Sequence, residues 1–250
     1  MIQLSAGDES FSAYRADPAG SPKGAVIVLH DVFGVDDHIR KIADDLAAAG
    51  YVAIAPALFD KVKADTTLSP AQENDGRALA AQVGTDWSLS AIQAAVDAAK
   101  AAGKVAVVGY SWGGYLAYHC ANRVKGVACA IGYYADGVLD GSREKRRVPT
   151  LLHFAEKDAL LPEGDIDQFR AARPDVSTYL YPGTAHGFFF GPAYDADAAQ
   201  LAQERTLFWI SQHVVGQPPV QLKNAGAYAQ SKTERKAKKG TGEDLGPPES

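Results

Sequence analysis

Cysteine is scarce. Cys120 and Cys129 are too few for a disulfide framework, and no CxxC or Cys/His cluster has the spacing of a zinc site. Both read as small core residues on a helix and a strand. Long apolar runs are missing as well, with no window near the roughly 20 residues that a membrane-spanning helix needs. The first twenty residues, MIQLSAGDESFSAYRADPAG, contain neither a basic segment nor an apolar core of signal-peptide length. There is no excess of positive charge. Lys+Arg 25 against Asp+Glu 30 gives a formal net charge of -5, which argues against nucleic acid or an anionic membrane as partner. Neither GxGxxG nor a Walker A loop occurs, so no nucleotide is expected. These absences leave the expectation of a soluble, cytoplasmic protein that uses no metal or other cofactor.

What is present is ample apolar material. Of 250 residues, 46% are hydrophobic and 22% charged, which excludes a wholly disordered chain. Residues 1–216 read as one continuous α/β domain. Residues 217–250 change character: four prolines, the basic run KTERKAKK and no apolar period predict a flexible C-terminal tail.

Short β-rich runs alternate with helical patterns through the body. The run AVIVLH at 25–30 reads as a buried strand, and residues 36–49 carry apolar side chains at helical spacing up to Gly50. Further strands are expected at 51–55, 104–109, 127–133, 149–154 and 178–181. Helices are expected at 70–83, 86–102, from 112 onward, 166–172 and 195–214. Crossovers of this length imply a mostly parallel sheet with helices on both faces, and ligands at the carboxyl ends of its strands.

One turn carries a mechanical signature. Gly109-Tyr110-Ser111-Trp112-Gly113 follows the apolar run KVAVV and precedes the helix-compatible YLAYHCA. The pentapeptide G-x-S-x-G is weak alone but strong between a strand and a helix. The turn is so sharp that residues two before and two after the serine must be small. The serine oxygen then projects at the strand's end, with the Trp112 N–H free to hold an oxyanion.

A serine hydroxyl needs a base. In this order of elements an acid and then a histidine should follow. His186 sits just after the strand STYLY, whereas His213 lies in the closing helix and reads as a surface residue. The acid belongs to the loop after PTLLHF, where Asp158 is the choice and Glu156 the alternative. It would fix the imidazole tautomer. A second oxyanion donor is expected from Val32, in the loop Asp31-Val32-Phe33-Gly34. Asp31 would place a carboxylate at the mouth of the site, or serve as a loop hydrogen-bond acceptor, while His30 should pack beneath the loop.

Several segments in this order resemble the dienelactone hydrolase family of α/β-hydrolases: DVFGV at 31–35, GYSWGG at 109–114, IGYY at 131–134, His153-Phe154 with Asp158, AHGF at 185–188 and ERTL at 204–207. The resemblance covers roughly residues 10–213. It implies a single-domain hydrolase without a large cap, cleaving an ester or lactone through an acyl-enzyme. Ser111, His186 and Asp158 take the triad positions by that resemblance too.

The departures bear on mechanism. The better-known family members carry cysteine at the nucleophile and glutamate after the early strand, where this chain has Ser111 and Asp31. That returns His186 to the role of general base. The family pattern also places an arginine shortly after the histidine, where this chain has Phe188-Phe189-Phe190, and a second arginine near position 77, where Arg77 stands. One lost cation weakens selection for anionic lactones. Phe33, Trp112, Phe189 and Phe190 would line an apolar acyl pocket, or else belong to the core. The expected partner is a small-molecule ester or lactone, bound by a monomer or small homo-oligomer. True dienelactone hydrolysis and a catalytically silent binding protein are the alternatives.

Overall fold

The computed structural model describes residues 1–144 and 146–216; the expected tail at 217–250 lies outside the described residues. Its strands are β1 (Ile2–Ala6), β2 (Glu9–Ala16), β3 (Ala25–Leu29), β4 (Val52–Pro56), β5 (Val105–Tyr110), β6 (Val127–Tyr133), β7 (Thr150–Ala155) and β8 (Ser177–Tyr181). Its α-helices are α1 (Asp37–Ala48), α2 (Glu73–Val83), α3 (Thr85–Ala99), α4 (Trp112–Arg123), α5 (Glu163–Ala172) and α6 (Ala196–Ile210).

The eight strands form one sheet in the order β1-β2-β4-β3-β5-β6-β7-β8. From β4 to β8 every pairing is parallel, as the long crossovers require. The exception is an edge that the alternation pattern did not predict. β1 and β2 form an antiparallel hairpin closed by Gly7-Asp8, and β2 runs antiparallel to β4. A two-residue Gly-containing loop between Ala6 and Glu9 is a hairpin signal in its own right.

Alternation on the central strands sends side chains into two separate cores. Val26 and Val28 of β3, with Ala106 and Val108 of β5, meet Ile39, Ala43 and Leu46 of α1 and Ala202 and Ile210 of α6. On the other face, Ile27, Leu29 and Val107 meet Ile92 and Val96 of α3 and Leu116 and Ala117 of α4. All five residues of β3 are buried, the mark of a strand covered on both sides. α1 begins where the sequence reading puts it: the Asp36 side chain accepts the Ile39 N–H at 3.0 Å. No helix among the described residues is long and apolar enough to cross a membrane. The carboxyl ends of β3, β5, β7 and β8 bring Val32, Ser111, Asp158 and His186 to the same rim of the sheet.

Candidate active site

Ser111 joins β5 to α4 with φ +51°, one of three non-glycine residues with positive φ among the described residues. Such a conformation costs on the order of 1–3 kcal/mol and must be imposed by its surroundings. The Ser111 N–H donates to the Tyr133 carbonyl on β6 at 3.0 Å, and the Ser111 carbonyl accepts the Tyr115 N–H at 3.0 Å. The two flanking glycines are required by close packing. A Cβ on Gly109 would strike the Gly113 carbonyl, and one on Gly113 would strike the carbonyls of Leu29 and His30.

Ser111 Oγ lies 2.8 Å from His186 Nε2. His186 Nδ1 lies 2.9 and 3.1 Å from the two oxygens of Asp158. A carboxylate can only accept, so Nδ1 carries the proton and Nε2 presents a lone pair to the serine hydroxyl. The Asp158 side chain is 1% exposed and also accepts the Leu160 N–H at 2.9 Å. Glu156, the alternative acid, does something else. Its carboxylate accepts the Gly183 N–H at 2.7 Å and ties the loop after β7 to the loop after β8. Lys157 N–H donating to Thr184 O at 2.8 Å is a second tie. His186 is therefore mounted on two cross-braced loops.

The Val32 and Trp112 N–H groups donate to no protein acceptor among the described residues. Trp112 is the first residue of α4, where the N–H has no intrahelical partner. The Trp112 ring stacks on Phe59 with centroids 5.6 Å apart, and His30 lies beneath both. His30 packs under the loop as expected. Its Nε2 accepts the Leu58 N–H at 3.2 Å, so Nδ1 is the protonated nitrogen and donates to the Asp31 carbonyl at 2.6 Å. Full burial pushes its pKa down to about 4 and keeps it neutral.

α2 reaches this loop through a residue that the sequence reading passed over. Gly76 lies against Val32 so closely that a Cβ would collide with the Val32 carbonyl oxygen and come within 2.9 Å of its carbon. Ala80 and Val83 hold α2 there against Phe59 and Trp112. A glycine inside an otherwise ordinary helical run was the available signal.

The residues expected to bind substrate fall in different places. Asp31 is not at the mouth. It is 4% exposed, because its carboxylate folds back to accept the Phe33 N–H at 2.7 Å, and burial raises its pKa to about 7. Arg77 does border a cavity of about 280 Å3, together with Val32, Trp112 and Asp136, but it is not a free cation there. Its guanidinium donates to Glu73 at 2.8 Å and to Asp136 at 2.9 Å. Phe189 and Phe190 line a different, larger cavity of about 890 Å3, whose walls include neither Ser111 nor His186. Phe33, half-buried, lines neither cavity; its carbonyl accepts the Leu68 N–H at 2.9 Å.

Tyr134 is a further residue of this site that the residue-level reading did not single out. Its backbone has φ +35°, and its ring meets the His186 ring edge-on at 4.9 Å. Its buried hydroxyl has no hydrogen-bond partner among the described residues. Burial drives its pKa up, and the nearby Asp31 and Asp158 carboxyls add to the effect.

Residues 11–214 match the family model described as the dienelactone hydrolase family. A protein of Azospirillum brasilense named "Putative carboxymethylenebutenolidase" is 33% identical over 233 residues, covering 85% of this chain and 98% of its own length. The carboxymethylenebutenolidase of Pseudomonas putida is 30% identical over 221 residues, covering 81% and 91%. Among solved structures, one described as "Putative Dienelactone Hydrolase" from Klebsiella pneumoniae subsp. pneumoniae superposes with a TM-score of 0.75 at 24% identity. It covers 84% of this chain and 98% of that one, and the likeness extends to the whole α/β-hydrolase sheet without a large cap.

Proposed function

The chain belongs to the dienelactone hydrolase family, whose members hydrolyse ester and lactone bonds, and from that premise we propose that it cleaves neutral carboxylic esters or lactones through a Ser111-His186-Asp158 triad. The observation that carries this reading is the unbroken chain of hydrogen bonds from Ser111 Oγ through His186 to a buried Asp158.

Ser111 Oγ attacks the carbonyl carbon as His186 Nε2 takes its proton. The carbonyl oxygen becomes an anion held by the N–H groups of Trp112 and Val32, which have no other partner among the described residues. The carbon–oxygen bond to the leaving group breaks, and the proton on Nε2 passes to the departing oxygen. Water then repeats the sequence on the acyl-enzyme, returning the proton to Ser111. Asp158 stays ionised and steadies the imidazolium.

Preference for a neutral substrate follows from charge. Arg77 beside the smaller cavity is matched by two carboxylates, Glu73 and Asp136, so little positive field is left for a substrate anion. The second reading, hydrolysis of a carboxylate-bearing dienelactone, is favoured by Arg77 bordering that cavity at all and by the name of the Pseudomonas putida relative.

The test is turnover of p-nitrophenyl acetate, labelling by a fluorophosphonate, and a panel of neutral and carboxylate-bearing lactones. Ser111→Ala should fold, escape labelling and lose roughly 10⁴-fold or more in kcat. Undiminished turnover by that variant would end the triad assignment. A wild-type protein that neither labels nor turns over would leave the silent binding protein.

A further inference from the structure

The larger cavity is independent of the triad. It has a volume of about 890 Å3, lies between α1 and α6, and reaches down to Tyr110 and Tyr133 on the sheet. That is the size range of small-molecule sites. We propose that it is a second binding site, distinct from the one at Ser111, for a neutral aryl compound with one hydrogen-bonding substituent.

The aromatic preference comes from its deep end. Tyr110 stacks on Tyr133 at 4.8 Å, and Phe189 and Phe190 approach Tyr110 at 5.4 and 5.2 Å. His38 continues this wall outward, stacked on Phe190 at 5.4 Å and 12°. Together these rings form an aromatic wall of the cavity, against which a ligand ring can pack offset or edge-on.

The need for one polar substituent comes from Tyr110. This residue lines the cavity and is 2% exposed, yet its hydroxyl bonds to nothing among the described residues. The neighbouring Tyr133 hydroxyl is already committed: it donates to the Ala202 carbonyl at 3.1 Å and accepts from Thr206 at 2.6 Å. Among the described residues of the cavity floor, Tyr110 thus supplies an unspent hydroxyl, and such a group gains from a ligand that bonds to it.

Neutrality follows from the rim. Lys41 and Asp45 both line it, but they pair with each other at 2.8 Å. Among the described lining residues no unpaired charge is left to compensate a charged ligand brought against four aromatic rings. The segment between His186 and the cavity is short. The Phe190 N–H closes a turn onto Gly187 O at 3.2 Å, so Phe189 and Phe190 follow directly from the triad loop. Two cavities and one shared loop give this fold separate places for a reacting ester and for a bound aryl compound.

The probe is 2-naphthol, which is uncharged at pH 7, titrated into the isotope-labelled protein and followed by backbone amide shifts and naphthol fluorescence. Saturable shifts should centre on Lys41, Gln200, Gln203 and Phe190. Tyr110→Phe should weaken binding roughly five-fold, the loss of one neutral hydrogen bond. Gln203→Trp, an exposed rim substitution that plugs the mouth, should weaken it about ten-fold or more while leaving labelling of Ser111 by fluorophosphonate intact. Prior labelling at Ser111 should not displace the naphthol. Shifts centred on Val32 and Trp112, displacement by the label, unchanged affinity in both variants, or no saturable binding at millimolar naphthol would each overturn the proposal.

Discussion

Replacing Gly76 by alanine adds one methyl group and should separate catalysis from stability. Gly76 sits in the second turn of α2, against the peptide of Val32. The added carbon would overlap the Val32 carbonyl oxygen and lie 2.9 Å from its carbon and 3.1 Å from the Val32 Cβ. Helix propensity alone favours alanine by about 1 kcal/mol. Overpacking at a site closed by backbone opposes it by about 1–3 kcal/mol. The net change in stability is therefore small, between about zero and 2 kcal/mol lost.

The relief of that overlap must come from moving α2 or moving Val32. Ala80 and Val83 pin α2 to Phe59 and Trp112, so Val32 gives way. Complete loss of an oxyanion donor costs about 10²–10³ in kcat, and a displaced donor should cost roughly 10- to 100-fold. KM should change little, because the donor acts on charge that develops only in the transition state. The assay is kcat and KM for p-nitrophenyl acetate beside the thermal midpoint. Gly164→Ala is the matched control: that glycine is in α5 with no atom near its Cβ position. It should raise stability by about 0.5–1 kcal/mol and leave kcat alone. A Gly76→Ala protein whose kcat stays within about two-fold of wild type would refute the reasoning.

Further expectations concern pH, the polar core and specificity. His30 and His153 are held neutral by burial, with pKa values pushed from 6.5 down to about 4 and about 3. Between pH 4 and 6.5 the unfolded chain binds both protons and the folded chain neither, so stability falls on acidification. Asp31 runs the other way, its pKa raised from 3.8 to about 7, so it holds its proton in the folded state over the same window. The net slope from these three groups is one proton, about 1.4 kcal/mol per pH unit. Asp31→Asn should steepen the fall towards two protons; denaturation curves from pH 4.5 to 6.5 showing no steepening would contradict this.

Thr206 links His153 Nε2, at 3.0 Å, to the Tyr133 hydroxyl, at 2.6 Å. Thr206→Val should leave His153 Nε2 unpaired, while the Tyr133 hydroxyl keeps the Ala202 carbonyl, and lower stability by about 1–3 kcal/mol in thermal or urea unfolding; a loss below about 0.5 kcal/mol would show that the link matters little. Asp136→Ala should release one partner of Arg77 and raise kcat/KM for a carboxylate-bearing lactone relative to a neutral ester by roughly three- to ten-fold, read from the substrate panel. An unchanged ratio would remove Arg77 from substrate selection.

Much of the site was legible because its parts obey local rules. Gly109, Ser111 and Gly113 announce a sharp strand-to-helix turn by their spacing. Asp158 and His186 follow strands closely enough that a parallel sheet must deliver them to one rim. Other residues could not be placed this way. The Gly7-Asp8 hairpin is hidden in the sequence, because the dominant alternation of strand and helix masks a short antiparallel edge. Asp31 reads as an exposed loop acid until its carboxylate is seen folded onto Phe33. Phe189 and Phe190 adjoin the histidine in the chain, yet the turn at Gly187 carries them into another cavity.

The chain order of chemical groups, the two-faced burial of β3 and β5, and the helix starts at Asp36 and Trp112 were decided by sequence alone. Each depends on contacts within a few residues or on a simple period. Tertiary structure alone decided which carboxylate meets His186, which cations are already paired and which cavity each aromatic ring enters. Those outcomes depend on distances between segments dozens of residues apart, such as Arg77 to Asp136 and Gly76 to Val32, and these exist only once the sheet and its helices have assembled.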